Sequence, residues 1–264
     1  MNRIATGLVS VTFRALSPHK IVSLVTKAGL DGIEWGGDVH VPHGDLATAR
    51  NVSRMTQEAG LRVLAYGSYY RCCNGELFEP VLETAVELGA PLIRIWAGQR
   101  GSEQADAAYR ATVIEQSRRA VSLAAQHNIT VAYEFHENTL TDTKDSAIAL
   151  LRAASGMRTL WQPPHNLSET ERLDSLRAVL PWLAHLHVFH WHTFDRTRLP
   201  LDEGANLWRE RLRVAASHGT AALLEFVRGD DPDQFLRDAL TLKRLVAELY
   251  LEGTSTSGST TLDR

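Results

Sequence analysis

SPHKIVSLVTKAGLDGIEWGG, residues 17–37, contains the unit from which the rest of the chain is built. Over 18–28 the apolar residues Ile21, Leu24, Val25 and Ala28 fall at helical spacing. Gly29 follows, and glycine is the residue best able to take the left-handed backbone that closes a helix. DGIEWG then reads as a short strand, rich in β-branched and aromatic residues. The same punctuation recurs outward from this stretch. A helix over 45–59 runs into Gly60, one over 76–88 into Gly89, and one over 212–218 into Gly219. Longer helices are expected over 106–127 and 232–250. Strands are expected at IATGLVS, DGIEWG, LRVLAYG, PLIRIWAG, ITVAYEFH, MRTLWQ, LAHLHVFHWH and TAALLEFV.

Eight strand-plus-helix repeats of roughly 33 residues fill the chain, and ~250 residues is typical of a closed (β/α)8 TIM barrel. An open doubly wound sheet usually carries a glycine-rich phosphate loop after its first strand, and GLVSVTFRALSP has no GxGxxG. The expectation is one TIM-barrel catalytic domain over 1–251. The Gly/Ser/Thr tract over 252–264 has nothing to bury and is expected to be a disordered tail.

The 264 residues are 44% hydrophobic and 22% charged, with a net charge of −3, so the chain is neither disordered in bulk nor basic. A protein that coats phosphate backbones normally has a basic excess, so nucleic acid is not an expected partner. No apolar run approaches the ~20 residues that span a bilayer, and the N-terminus lacks a signal-peptide core. Cys72 and Cys73 are adjacent and form no disulfide framework, which fits a cytoplasmic location. The 11 histidines are the unusual count.

In a barrel, chemistry gathers at the C-terminal ends of the strands. Strand 2 ends in Glu34 and Trp35, with His40 and His43 in the loop beyond. Arg94 and Trp96 share a face of strand 4, and Glu134 and His136 share one of strand 5, by the two-residue period. Gln162 ends strand 6 and His165 follows. His185 and His187 share a face of strand 7, with His190 and His192 on the other parity, and strand 8 carries Glu225. A charge inside an apolar strand needs a partner. Glu34 or Glu134 pairing with Arg94 is one solution and a bound metal is another. Two carboxylates, an imidazole and a side-chain oxygen from strands 5, 8, 7 and 6 suit one divalent ion. Mn²⁺ is the first choice, with Mg²⁺, Co²⁺ or Zn²⁺ also accommodated.

Glutamate ending strand 5, a His three residues after the end of strand 6, H-x-H on strand 7 and a glutamate on strand 8 resemble the xylose isomerase-like barrels. The resemblance covers essentially residues 1–250. That superfamily includes sugar isomerases and epimerases, inosose dehydratases and type IV apurinic endonucleases. It implies metal ligands at Glu134, His187 and Glu225, with the family's strand-6 aspartate falling on Gln162. Glutamine offers an oxygen but no charge. His165 or His190 as a replacement ligand stays open.

The resemblance implies an isomerase or epimerase of a sugar or polyol ketone, working through a metal-stabilised enediolate. Glu134 and Glu225 are then the acid/base pair. Arg94, His136, His165, Glu34, His40, His190 and Trp96 are expected around the substrate, with Trp35 and Trp191 as further walls. Two alternatives carry the same residues: a lyase or dehydratase on a keto-sugar or keto-glycoside, and a non-catalytic sugar-binding barrel. Homo-oligomerisation is left open.

Overall fold

The computed structural model describes residues 3–73, 75–165, 167–193, 195–218 and 221–255. Ten strands are present among these residues: β1 (Ala5–Val9), β2 (Gly32–Gly36), β3 (Arg62–Gly67), β4 (Leu92–Ile95), β5 (Thr130–Glu134), β6 (Arg158–Trp161), β7 (Leu183–Val188), β8 (His190–Trp191), β9 (Arg198–Leu199) and β10 (Ala221–Leu224). β1–β7 and β10 close a parallel barrel in chain order, and the seam pairs Ala5 with Ala221 and Leu8 with Leu224. Eight helices cover it: α1 (Pro18–Ala28), α2 (Leu46–Glu58), α3 (Glu79–Leu88), α4 (Ala107–Ala125), α5 (Lys144–Ala153), α6 (Glu169–Val179), α7 (Ala205–Ala215) and α8 (Pro232–Ser255). The expected TIM barrel is the observed fold.

Local chemistry sets these boundaries. Asp45 caps α2 by accepting from Thr48 N at 3.0 Å, and Asp106 caps α4 through Tyr109 N at 2.7 Å. Ser168 and Glu171 form a reciprocal capping box on α6. Gly29 closes α1 in the left-handed region at φ 63°.

The structure revises several expected limits. α3 starts at Glu79 rather than 76, because Pro80 sits in its first turn, where a missing N–H costs nothing. α7 begins at Ala205, seven residues before the expected 212. Gly219 lies outside the described residues. The first four residues of the expected tail continue α8 to Ser255, and 256–264 lie outside the described residues. LAHLHVFHWH is not one strand. It leaves the barrel after Val188, and His190–Trp191 turns into an antiparallel hairpin with Arg198–Leu199.

Between barrel and helices the core is apolar and aromatic. Trp35 and Trp161 point outward into it, their indole N–H groups donating to Thr56 Oγ1 of α2 and Ser175 Oγ of α6. Trp35 is therefore a packing residue and not a substrate wall. Ala65, Leu92, Ala132 and Leu160 form a small cluster of their own, joined by Ala184. Two residues on from Leu92, Ala132 and Leu160, on the same face, come Arg94, Glu134 and Gln162. Among the described residues no helix is long and apolar enough to cross a membrane.

Candidate metal centre

Six polar side chains, four on β2, β4, β5 and β7 and two just beyond β6 and β10, meet at the C-terminal end of the barrel strands. Glu34 is 0% exposed, Arg94 1%, Glu134 4%, His187 0% and Glu225 4%, and Gln162 is half-buried. Arg94 bridges two of the carboxylates, with its Nε 2.7 Å from Glu34 Oε1 and its Nη1 bonded to Glu134 Oε2. Trp96 Nε1 also donates to Glu134 Oε2, at 2.6 Å. Gln162 Nε2 donates to Phe135 O at 2.8 Å and to Glu134 Oε1 at 3.3 Å. These two acceptors fix the amide orientation and leave Gln162 Oε1 without a donor.

His187 is oriented from behind. Its Nε2 lies 3.1 Å from Glu34 Oε2, a contact that requires the ring to donate there. In the neutral ring Nδ1 then carries the lone pair. Nδ1 stands 3.2 Å from Glu225 Oε2 and 3.7 Å from Glu134 Oε1 and makes a hydrogen bond to neither. Ligand atoms of Glu134, His187 and Glu225 all lie within 4.8 Å of one another.

The electrostatics need a cation. Three buried carboxylates face one guanidinium, so with His187 neutral the cluster carries two negative charges, which one divalent ion would neutralise. Burial alone would raise the Glu34 pKa, but His187 and Arg94 hold it down to about 2. Burial opposes ionisation of Glu134 too, and Arg94 and His187 keep it well below the usual carboxylate range. With no ion, burial disfavours a charged His187, yet Glu225 and Glu34 hold a proton on it well above its ordinary range. Gln162 Oε1, His187 Nδ1 and Glu225 Oε2 are buried polar atoms without partners, and such atoms are costly unless something completes them. The donor set fits a divalent ion.

A cleft of about 340 Å³ reaches this cluster through Gln162. Its lining includes His136, His165, Phe189, Trp191 and Phe226. His136 stacks on Trp96 with ring centroids 4.4 Å apart, and His165 stacks on Trp191 at 4.8 Å. Among the described residues, six non-glycine residues in the loops after β3, β5, β8 and β10 hold left-handed backbone: Tyr69, Cys72, Asn138, Arg196, Phe226 and Asp230. Such residues cost energy and concentrate at functional faces. Phe226 directly follows Glu225.

A family model for the xylose isomerase-like TIM barrel matches residues 22–245. The chain belongs to the xylose isomerase-like TIM barrel family. It is 27% identical over 200 residues to a 3-dehydroshikimate dehydratase from Bacillus anthracis, covering 69% of this chain and 70% of that one. Among solved structures it resembles AsbF from Bacillus anthracis, described as the probable 3-DHS dehydratase of petrobactin synthesis. That match has a TM-score of 0.76 and 22% identity, over 91% of this chain and 99% of the other. A D-allulose 3-epimerase from Methylomonas sp., in complex with D-allulose, matches with a TM-score of 0.72 and 15% identity over 92% and 97% of the two chains.

Within this xylose isomerase-like barrel the expected site residues separate into groups. Glu134, Gln162, His187 and Glu225 come together as the candidate ligand set. Glu34 and Arg94, expected at the substrate, are spent on the buried ion-pair network beneath it. Trp96 is half-buried and braces Glu134. His136 and His165 line the cleft. His40 does not: it is 4% exposed, meets Ser10 Oγ at 2.9 Å and Leu16 O at 3.2 Å, and packs edge-on against Trp35. His190 sits on the β8–β9 hairpin, in a pocket it shares with Arg211 and Glu169. Sequence reading missed Tyr69, whose ring covers the Arg94 guanidinium at 4.8 Å. It also missed Gly67, where an added Cβ would fall 2.9 Å from Glu34 Oε1 and run into Arg94. Neither residue carries a local signal, since both serve partners distant in the chain.

Proposed function

We propose that this protein is a divalent-metal-dependent dehydratase that removes water from a cyclic keto-polyol of the 3-dehydroshikimate type. The observation that carries the reading is the state of Glu134. Its Oε2 accepts from Arg94 and Trp96 and its Oε1 from Gln162, so it is a braced, ionised anchor with no oxygen free to shuttle protons. Epimerisation needs a proton taken from one face and returned to the other, hence two free bases. Elimination needs one. The sequence relative that is named a 3-dehydroshikimate dehydratase supports the same choice.

Glu134, Gln162, His187 and Glu225 would hold the ion, which when bound polarises a carbonyl and acidifies the neighbouring C–H. We assign the base to His136, which lines the cleft. Its Nδ1 lies 2.6 Å from Glu137 O; a carbonyl only accepts, so Nδ1–H donates and Nε2 carries the lone pair. His136 Nε2 takes the α-proton, the bond to the β-hydroxyl breaks, and the departing hydroxide receives that proton to leave as water. In a ring that already holds a keto group and one double bond, the product enolises to an aromatic diol. The two stacked pairs, Trp96/His136 and His165/Trp191, with Phe226 tilted against Trp191 at 4.9 Å, offer flat walls to such a ring.

The test is direct. Protein loaded with Mn²⁺ and given 3-dehydroshikimate should release 3,4-dihydroxybenzoate, seen by its ultraviolet absorbance; EDTA should stop it and His136→Gln should abolish it. Epimerised ketose from D-fructose or D-allulose, with no aromatic product from the cyclic substrate, would return the protein to the isomerase reading.

A further inference from the structure

The cleft contains a charge device that the metal centre does not use. Arg196 sits at the tip of the β8–β9 hairpin, in left-handed backbone at φ 59°. The turn is closed by His192 N to Thr197 O at 2.9 Å and by Arg196 N to His192 O at 3.1 Å. The guanidinium reaches across the cleft to Glu137 in the loop after β5. Nη1 meets Oε1 at 2.8 Å and Nη2 meets Oε2 at 2.8 Å, a two-pronged pair. Both residues line the cleft, and among the described residues Arg196 is the only guanidinium in that lining. Asp142, the other acid there, accepts from Ser102 N at 2.8 Å.

We propose that Arg196 selects substrates bearing a carboxylate, and that Glu137 is the internal carboxylate which the substrate displaces. The proposal rests on the dehydratase reading above. The fork that grips Glu137 presents the geometry a substrate carboxylate would need. Each member of the pair is about 43% exposed. An ion pair so open to water is weak, so exchanging one carboxylate for another is easy. An anion that entered without displacing Glu137 would face its charge. Glu137 also ties this exchange to the base, because its carbonyl is what His136 Nδ1–H bonds to.

Two variants break the same ion pair, and selection by charge predicts opposite outcomes for them. Isothermal titration of Mn²⁺-loaded protein with 3,4-dihydroxybenzoate, and with uncharged 1,2-dihydroxybenzene, separates the cases without turnover. Arg196→Gln should weaken the carboxylate ligand by about 10–100-fold, the scale of a charge-assisted pair. Glu137→Gln should tighten it by roughly 2–5-fold. Arg196→Lys should recover part of the loss, and the uncharged ring should shift less than about twofold in each variant. If the pair only straps the hairpin down, both variants move both ligands in the same direction, and that result overturns the proposal. So does equal affinity of the unaltered protein for the two rings. Failure of the dehydratase reading looks different: the opposite shifts persist while 3-dehydroshikimate is not consumed.

Discussion

Gln162→Glu tests the metal centre through its charge. The change keeps the side-chain shape and replaces an amide that donates to Glu134 with a carboxylate that repels it. Gln162 Nε2 lies 3.3 Å from Glu134 Oε1. At an effective dielectric of about 20, two like charges at that separation repel by about 5 kcal/mol. The variant can escape by keeping its proton. At pH 8 that also costs about 5 kcal/mol for a carboxyl of ordinary pKa near 4.3, so both routes agree. The new group's pKa is raised in the fold, so the stability is present at low pH and lost as pH rises. Near pH 5 the proton costs only about 1 kcal/mol. In EDTA at pH 8 the variant should therefore melt about 10–20 °C below the parent, at roughly 2–4 °C per kcal/mol for a chain of this size. The deficit should mostly vanish near pH 5. Excess Mn²⁺ at pH 8 should reverse it, because a third carboxylate is then an added ligand, and the metal-induced rise should exceed the parent's. A variant that melts like the parent in EDTA at pH 8 and shows no larger metal response would place Gln162 outside the ligand set and refute the charge argument.

Glu34→Gln should lower metal affinity by about 10–100-fold with the fold retained, because Arg94 would hold the amide oxygen and turn the NH2 toward His187, moving its proton to Nδ1; titration calorimetry with Mn²⁺ checks it, and unchanged affinity would mean Glu34 does not set the tautomer. Gly67→Ala should destabilise the protein and cut its metal content together, since the new Cβ meets Arg94 and lies 2.9 Å from Glu34 Oε1. Elemental analysis beside a thermal melt reads both, and full occupancy with an unshifted melt would count against the packing argument. Asp238→Asn should stabilise the protein at pH 8 without altering turnover. Burial raises the Asp238 pKa, so its folded form favours the proton and loses stability as pH rises. Leu201 N and Gln234 Nε2 both donate to Oδ1, an oxygen the amide keeps. The gain should shrink toward pH 4, and a lower melting temperature at pH 8 would refute it.

What could be read in the sequence follows from the range of the interactions involved. The barrel was legible because its rules are local: glycine after a helix, aspartate or serine before one, and period-two or helical spacing of apolar residues between. The candidate ligand residues stood out because a charge in an apolar strand is conspicuous, and the two-residue period assigns its face. Partners were not. Arg94 reaches Glu34 across 60 positions and Glu134 across 40, and His187 reaches Glu34 across 153. Sequence reading therefore placed Glu34 and Arg94 at the substrate, when their charges are consumed beneath it. His190 and His192 were assigned to strand 7 because nothing before Phe189 marks the exit of the chain from the barrel. The weighing of the reaction turns on the same point. Two glutamates suggest two bases until the hydrogen bonds on each oxygen are known.

Those hydrogen bonds give Gln162 a double effect. Three carboxylates against one guanidinium leave a charge that one divalent ion cancels, and an aspartate at this position would leave the cluster a charge short of neutral even with the ion bound. The amide also does what a carboxylate cannot: it donates to Glu134 Oε1 and completes the brace begun by Arg94 and Trp96 on Oε2. Neutral charge balance and the withdrawal of Glu134 from proton transfer thus have one origin. With Glu134 fixed, the base we assign in the cleft is His136 Nε2, stacked on the indole that holds Glu134 in place. An imidazole base in an aromatic-walled cleft suits elimination, and a Glu134 held by three donors does not suit a proton exchange between two glutamates. On the proposed reading, the residue that departs from the family pattern is the one that links how an ion would be held to which reaction follows.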